Sequence, residues 1–169
     1  MPDATISNTS CLIVLSKIGE LDLLRKLYGE IITSTEVVSE LAHPLPDWVK
    51  INSITDRYSQ QILELQLDKG EASVIALSIE TPKSTIILDD HKARVIAEKL
   101  GLKITGTIGI IIKAKLRGII PSIKPYLEKI RATDFRLTTE IESQALKEAG
   151  ELILPHENNT KSNPPSADK

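Results

Sequence analysis

Two adjacent acids, Asp89 and Asp90, directly follow the apolar run Thr85–Leu88. The run has the composition of a buried strand, and a helix-like stretch, Lys92–Leu100, follows at once. Open α/β sheets commonly build their sites where strands end and helices begin. The acid pair therefore predicts one wall of a site at the carboxyl edge of a sheet.

Three more oxygen-bearing side chains occupy comparable positions. Asn8 ends the first predicted strand, Glu40 lies on the helix after the second strand, and Glu71 lies in the first turn of a later helix. Two carboxylates about 4 Å apart repel by roughly 4 kcal/mol at an effective dielectric of 20, so such a cluster needs protons or a cation to neutralise it. Mg²⁺ and Mn²⁺ suit oxygen ligands, and a carboxylate-bound metal can orient a water towards a phosphodiester.

Each of these residues also has a purely structural explanation. Glu71 would interact favourably with the dipole of its helix, and one of the two adjacent aspartates would be a helix N-cap. Glu40 would be solvated surface, and Asn8 would cap the helix that begins near Cys11. Convergence of the four acids and Asn8 in space is thus a hypothesis that the spacing alone leaves open.

Substrate contacts are expected from the hydroxyls of Ser10 and Thr107 and from Lys113 and Lys115, the first residues of a basic stretch that continues to residue 131. Such a stretch would grip phosphates beside the acids. The alternative interpretation of the lysines is a solvated helix face.

Other chemistries have less support. His43, His91 and His156 lack metal-ligand spacing, and Cys11 has no obvious base and is interpreted as a small buried hydrophobe. No G-x-S-x-G nucleophile elbow occurs.

Composition limits the protein class. The 169 residues suffice for one domain, expected over residues 1–152, and a disordered polar tail over 153–169. The net charge of −2 argues against a general nucleic-acid coat, and the 3% aromatic content predicts an Ile/Leu core without base-stacking platforms. The single cysteine, the lack of a signal-peptide pattern and the lack of a long apolar run favour a cytoplasmic protein without membrane spans.

Strand-like and helix-like segments alternate along the chain, which predicts an α/β fold with a mainly parallel sheet wrapped by helices. Thr33 with Glu36 predicts a capping box, and Gly70 predicts the boundary between two helices. The predicted strands are Ala4–Ser7, Glu30–Ile32, Val49–Ile54 at an edge, Thr85–Leu88 and Lys103–Thr105. The predicted helices are Cys11–Ile18, Leu21–Tyr28, Ser34–Leu41, Asp56–Leu67, Glu71–Glu80, Lys92–Leu100, a helix from the turn 106–109 to Leu116, Ser122–Arg131 and Thr138–Ala149.

Several short motifs, taken in order, resemble PIN-domain proteins over residues 4 to 150, and the resemblance is nearest to a prokaryotic branch related to VapC-type toxins. The motifs are Ile6–Ile13, Lys17–Leu24, Val37–Leu41, Asp68–Ala72, Leu88–Arg94, Leu100–Leu102 and Thr105–Gly109. The resemblance implies a three-layer α/β/α PIN-like fold with additional C-terminal helices. It also implies Mg²⁺- or Mn²⁺-dependent ribonuclease activity, in which acids hold the metal and a metal-activated water cleaves RNA.

By position, Glu40, Glu71 and Asp90 match the acids of the family, and Asp89 stands beside them. Two positions depart from the pattern. Asn8 occupies the place where PIN domains usually carry Asp, and hydroxyls at 105–107 occupy the place of the last acid in many members.

The leading hypothesis is an endoribonuclease resembling the toxin of a toxin–antitoxin pair. Glu40, Glu71, Asp89 and Asp90 would be the metal ligands, and Asn8 would orient the metal or the water. The resemblance further implies a cognate antitoxin and a homodimer. The alternative is a weak or inactive PIN-like module that binds RNA or a protein, which Asn8 favours. A receiver-like phosphoacceptor domain ranks below both, because it would need an acid pair after the first strand.

Overall fold

The structure, a computed structural model, describes residues 4–151; the predicted tail at 153–169 lies outside the described residues. The strands are β1 (Ala4–Ser7), β2 (Ile31–Ser34), β3 (Val49–Asn52), β4 (Ser84–Ile87) and β5 (Lys103–Thr105). The helices are α1 (Thr9–Lys17), α2 (Asp22–Tyr28), α3 (Thr35–Glu40), α4 (Arg57–Glu64), α5 (Lys69–Glu80), α6 (His91–Lys99), α7 (Thr107–Leu116), α8 (Lys124–Arg131) and α9 (Thr139–Glu148).

The five strands form one parallel sheet in the order β3-β2-β1-β4-β5, with helices on both sides. This confirms the prediction of a three-layer α/β/α fold, and β3 is an edge strand as expected. The sheet is parallel because each strand is followed by at least one helix that returns the chain to the same end.

The order of the strands reverses between β1 and β4. From β1 the chain adds β2 and β3 on one side, and it later adds β4 and β5 on the other. Ser7 pairs with Ile87, and the Asn8 N–H donates to the Ile87 carbonyl oxygen at 3.1 Å. A crevice opens at the carboxyl ends of strands at such a switch point. The topology thus brings Asn8 close to the residues that follow β4.

Aliphatic side chains fill the core, as the scarcity of aromatic residues predicts. The largest fully buried side chains are all isoleucine or leucine, among them Ile6, Leu15, Ile75, Ile86 and Ile110. None of the helices within residues 4–151 is long and apolar enough to cross a membrane.

The predicted capping box between Thr33 and Glu36 is wrong. Strand β2 continues to Ser34, and it is the Ser34 hydroxyl that accepts the Val37 N–H at 3.1 Å and caps α3. The Thr33 hydroxyl instead donates to the Ser7 carbonyl oxygen at 2.8 Å. The register of β2 against β1 therefore decides which of the two hydroxyls is available to the helix.

The helix boundary predicted at Gly70 also moves. Asp68 is the N-cap of α5, and Gly70 lies inside its first turn. Asp68 accepts the Glu71 N–H at 2.8 Å, and the Glu71 carboxylate accepts the Asp68 N–H at 3.4 Å, which completes a capping box. Gly70 lies close to the carboxylate of Glu40 at the end of α3, as described below.

Candidate functional site

Asn8 is a buried residue that directly follows β1. It occupies the N-cap position of α1, but its side chain makes no capping hydrogen bond, so the capping explanation for Asn8 is wrong. Within residues 4–151 its Oδ1 atom has no hydrogen-bond partner. A buried amide oxygen without a partner costs free energy, so this atom is poised to accept a ligand.

Glu40 and Glu71 both lie at the N-terminus of α5. A Cβ atom at Gly70 would lie 2.7 Å from both carboxylate oxygens of Glu40, so only glycine lets the carboxylate approach this helix end so closely. The N-terminus of a helix favours such a negative charge. Glu40 Oε2 also accepts the Thr9 hydroxyl at 2.5 Å. Glu71 projects from the first turn of the same helix, beside its cap Asp68.

Asp89 is held at the N-terminus of α7 by three donors. It accepts the Thr107 N–H at 2.8 Å, the Thr107 hydroxyl at 2.6 Å and the Ser10 hydroxyl at 2.7 Å. A Cβ atom at Gly106 would lie 3.0 Å from Asp89 Oδ1, so glycine makes room for the carboxylate here as well. The sequence has only hydroxyls at positions 105–107, and the carboxylate found there belongs to Asp89, which follows the neighbouring strand β4.

Asp90 is the N-cap of α6 and accepts the Ala93 N–H at 3.0 Å. The expectation that one of the two adjacent aspartates caps a helix is therefore confirmed. Asp90 is exposed and lines the same cleft as Asp89.

The acids interact electrostatically around Glu71. The pKa of Glu71 is raised to about 7, chiefly by partial burial; the charges of Asp68, Asp90 and Glu40 act in the same direction, and the hydrogen bond from the Asp68 N–H opposes them. The pKa of Glu71 thus depends on three other carboxylates. These three charges make ionisation of Glu71 less favourable, and a bound cation would offset that effect.

One cleft of about 880 Å³ collects these side chains. Glu40, Glu71, Asp89, Asp90, Asn8 and Ser10 all line it. The cleft is also lined by residues that were not predicted to be site residues: Lys17, Asp68, His91, Phe135 and Arg136. Two sequence signals could have found some of these five: Asp68 stands three residues before Glu71, as in a capping box, and His91 directly follows the acid pair. Phe135 and Arg136 come from the α8–α9 connection, and nothing in the sequence indicates that it reaches the cleft.

The candidate substrate contacts separate into two groups. Ser10 lines the cleft. Thr107 is fully buried and does not line the cleft, and its hydroxyl donates to the Asp89 carboxylate. Lys113 and Lys115 do not line the cleft. The Lys113 ammonium donates to the Tyr28 hydroxyl at 3.2 Å, and the Lys115 ammonium donates to the Ala149 carbonyl oxygen at 3.0 Å.

Cys11 is fully buried, as the sequence predicts for a small hydrophobe. Burial raises the pKa of its thiol to about 12, and the nearby charge of Asp89 acts in the same direction. A thiol in that state is a poor nucleophile.

The donor set has the chemistry of a site for a hard divalent cation. Carboxylates and an amide oxygen are ligands that Mg²⁺ and Mn²⁺ prefer, and the part of the Glu71 pKa rise that burial does not cause comes from negative charge that a cation would neutralise. No three His, Cys, Asp or Glu side chains among residues 4–151 stand close enough together to form a ready-made metal group. The cleft therefore offers suitable ligand types without a preformed coordination shell.

A doubly wound parallel sheet with carboxylates gathered at its switch point defines an α/β/α protein with an acidic cleft. The family model for DUF3368, a PIN domain, matches residues 4–151. The chain therefore belongs to the PIN-domain family, a nuclease fold that is generally metal-dependent. No curated protein and no solved structure gives a significant match.

Proposed function

We propose that this protein is a Mg²⁺- or Mn²⁺-dependent endoribonuclease, of the kind that serves as the toxin of a toxin–antitoxin pair in the cytoplasm. The observation that carries the proposal is that Glu40, Glu71, Asp89 and Asp90 line one cleft together with Asn8, whose Oδ1 has no hydrogen-bond partner within residues 4–151. Membership of a nuclease fold family supports the same chemistry.

In this proposal the four carboxylates and the Asn8 oxygen hold the cation. When bound, the cation supplies an activated water and stabilises the charge that develops on the phosphodiester. Ser10 and Thr107 keep the Asp89 carboxylate oriented through their hydroxyl groups. Gly70 lets Glu40 face the same cleft.

The decisive experiment compares two aspartates that have the same structural role. Asp90→Asn and Asp56→Asn each replace a helix N-cap, of α6 and α4 respectively, and each removes one negative charge. Asparagine caps helices about as well as aspartate, so both variants should fold. We expect Asp90→Asn to lose Mn²⁺-dependent cleavage of a labelled RNA while Asp56→Asn keeps it, with EDTA abolishing cleavage in all cases. Equal cleavage by the two variants would contradict the assignment.

A second candidate function is a PIN-like module that binds RNA or a protein without cutting. Its support is Asn8, which adds an oxygen ligand but no charge where the family usually carries Asp. Asn8→Asp separates the two candidates. A parent that cleaves RNA with Mn²⁺ supports the nuclease, whereas cleavage that appears only in the variant supports a binding module derived from a nuclease.

The toxin role, a cognate antitoxin and a homodimer form the finer part of the proposal. Tyr58, Ile62 and Leu65 lie on one side of α4 and at its end, with 71%, 50% and 82% of their surfaces exposed, and such an apolar stripe suits a second copy of the chain. Leu65→Lys should shift a dimer towards monomer in analytical ultracentrifugation. Induced expression should arrest growth, and co-expression of a small adjacent gene should relieve the arrest.

A further inference from the structure

The α8–α9 loop, residues 132–138, contributes the part of the cleft that carries no carboxylate ligand. Thr133, Asp134, Phe135, Arg136 and Thr138 all line the cleft, and Ile141 of α9 extends the same surface. The proposed cation site leaves these residues without a role.

Hydrogen bonds at both ends of the loop hold it in a defined shape. The Thr133 hydroxyl donates to the Ile130 carbonyl oxygen at 2.6 Å and accepts the Phe135 N–H at 3.2 Å. At the other end the Thr138 hydroxyl accepts the Ile141 N–H at 3.2 Å and caps α9. A loop fixed in this way presents its side chains without a large ordering cost on binding.

Phe135 is the only phenylalanine of the chain. It is half-buried, packs against the hydrophobic core and still lines the cleft. An aromatic ring beside charged groups in a cleft provides a face on which an unpaired base can stack. The low aromatic content of the chain therefore does not exclude a single stacking position.

Positive charge lies on the same side of the cleft. Lys17 and Arg136 line it, and a second hollow of about 500 Å³ shares Lys17, Thr133 and Asp134 with the cleft and adds Lys129. The acids thus occupy one part of a continuous surface, and lysine and arginine side chains occupy another. A strand of nucleic acid needs this separation, because the cation serves one phosphate and the next phosphates need cationic side chains.

Asp134 modifies this basic region. Its carboxylate lies 3.4 Å from the Lys17 ammonium, and its side chain is almost fully exposed. A phosphate that binds Lys17 must compete with Asp134 for the ammonium and approach a like charge. The residue therefore weakens the binding of a polyanion at this end.

We propose that the α8–α9 loop is a nucleotide-binding subsite, which rests on the proposed action on RNA. The base of a nucleotide next to the cleaved bond stacks on Phe135, its phosphate binds Arg136 and Lys17, and Asp134 limits the affinity. The subsite would hold one unpaired nucleotide in place relative to the acids.

The test measures binding apart from cleavage. A fluorescein-labelled RNA octamer is titrated in EDTA at low salt, and cleavage of the same octamer is measured with Mn²⁺. Phe135→Leu keeps an apolar side chain but removes the ring, and loss of one stacking contact corresponds to about a 5- to 100-fold weaker affinity. Trp48→Leu, at a half-buried aromatic that packs against the core outside the cleft, is the matched control and should bind as the parent does.

Two charge variants give opposite expectations. Arg136→Gln should weaken binding and flatten the dependence of log K on log salt by about 0.7, the value for one phosphate contact on a single strand. Asp134→Asn should strengthen binding several-fold, because it frees Lys17 and removes a like charge. Arg57→Gln, an exposed arginine outside the cleft, is the control for Arg136.

The outcomes distinguish this inference from the proposed function. If the parent cuts RNA and Phe135→Leu, Arg136→Gln and Asp134→Asn all bind the octamer as the parent does, the subsite is refuted while the nuclease stands. The same holds if these variants lose only the binding of a co-expressed protein partner, which would make the loop a protein-docking surface. If the parent neither binds nor cuts RNA, the proposed function itself fails. Arg136 is exposed, so its variant remains informative even if Phe135→Leu does not fold.

Discussion

Replacing Glu71 by glutamine should stabilise the metal-free protein at alkaline pH. Glu71 has a pKa of about 7 against an ordinary value of 4.5, because burial and the charges of Asp68, Asp90 and Glu40 oppose its ionisation. The folded state therefore holds a proton that the unfolded state has released between pH 4.5 and 7. Stability must fall as pH rises through that window and stay low above it.

The size of the effect follows from the pKa change. One pKa unit corresponds to about 1.4 kcal/mol, so the full change would be about 3 kcal/mol. Because the Glu71 side chain is partly exposed, solvent screening reduces this to about 1–2 kcal/mol. Glutamine keeps the acceptor oxygen for the Asp68 N–H but carries no charge. We therefore expect Glu71→Gln to raise the melting temperature by about 3–6 °C at pH 8 in EDTA.

Thermal and urea unfolding between pH 4.5 and 8.5 would measure this difference. The variant and the parent should have equal stability near pH 4.5, and the gap should open as pH rises. Glu98→Gln, an exposed change on α6 outside the cleft, should shift stability by less than about 0.5 kcal/mol at every pH. Added Mn²⁺ should stabilise the parent more than Glu71→Gln. A variant no more stable than the parent at pH 8 would refute the claim that burial and the neighbouring carboxylates oppose the ionisation of Glu71.

Three further expectations concern single contacts. Thr107→Val should cost about 1–2 kcal/mol in urea unfolding, because it removes a buried hydroxyl that donates to Asp89; an unchanged midpoint would show that this bond does not anchor the carboxylate. Asp56→Ala should destabilise the protein at pH 7, and the loss should shrink as pH falls below 3.8, because hydrogen bonds from Ser59 and the α4 backbone lower the Asp56 pKa and their contribution is lost as pH falls through it; a pH-independent loss would contradict this reasoning. Cys11 should resist a thiol reagent at pH 8 until urea unfolds the chain, and rapid labelling of the native protein would contradict its burial.

The order of the strands and helices was predictable because each element carries its own periodic pattern and most carry stop signals. The central sheet could be predicted to be parallel for the same reason. The ends of elements were less predictable. Whether Thr33 or Ser34 caps α3 depends on how far β2 pairs with its neighbours, and no local pattern contains that information.

The gathering of acids was also predictable in outline, since strands of a parallel sheet end at one edge. It was not predictable that Lys113 and Lys115 lie outside the cleft. Their charge is readable from the sequence, but the direction they point depends on how α7 packs, and that packing turns them towards Tyr28 and the end of α9. The loop of Phe135 and Arg136 reaches the cleft because α8 and α9 pack Leu127, Ile130 and Ala145 into the core and so position both ends of the loop.

The sequence by itself determined the fold class and indicated Glu40, Glu71, Asp89 and Asp90 as candidate ligands, because hydrophobic periodicity and the position of acids after strands are local properties. It also placed an amide, Asn8, directly after the first strand, where the resemblance to PIN domains implies an acid. Only the tertiary structure decided what each acid does. Asp90 caps α6, Asp89 accepts hydrogen bonds from Ser10 and Thr107, and burial and neighbouring carboxylates raise the pKa of Glu71. These differences arise from contacts between residues far apart in the chain, and such contacts exist only once the sheet and helices have packed.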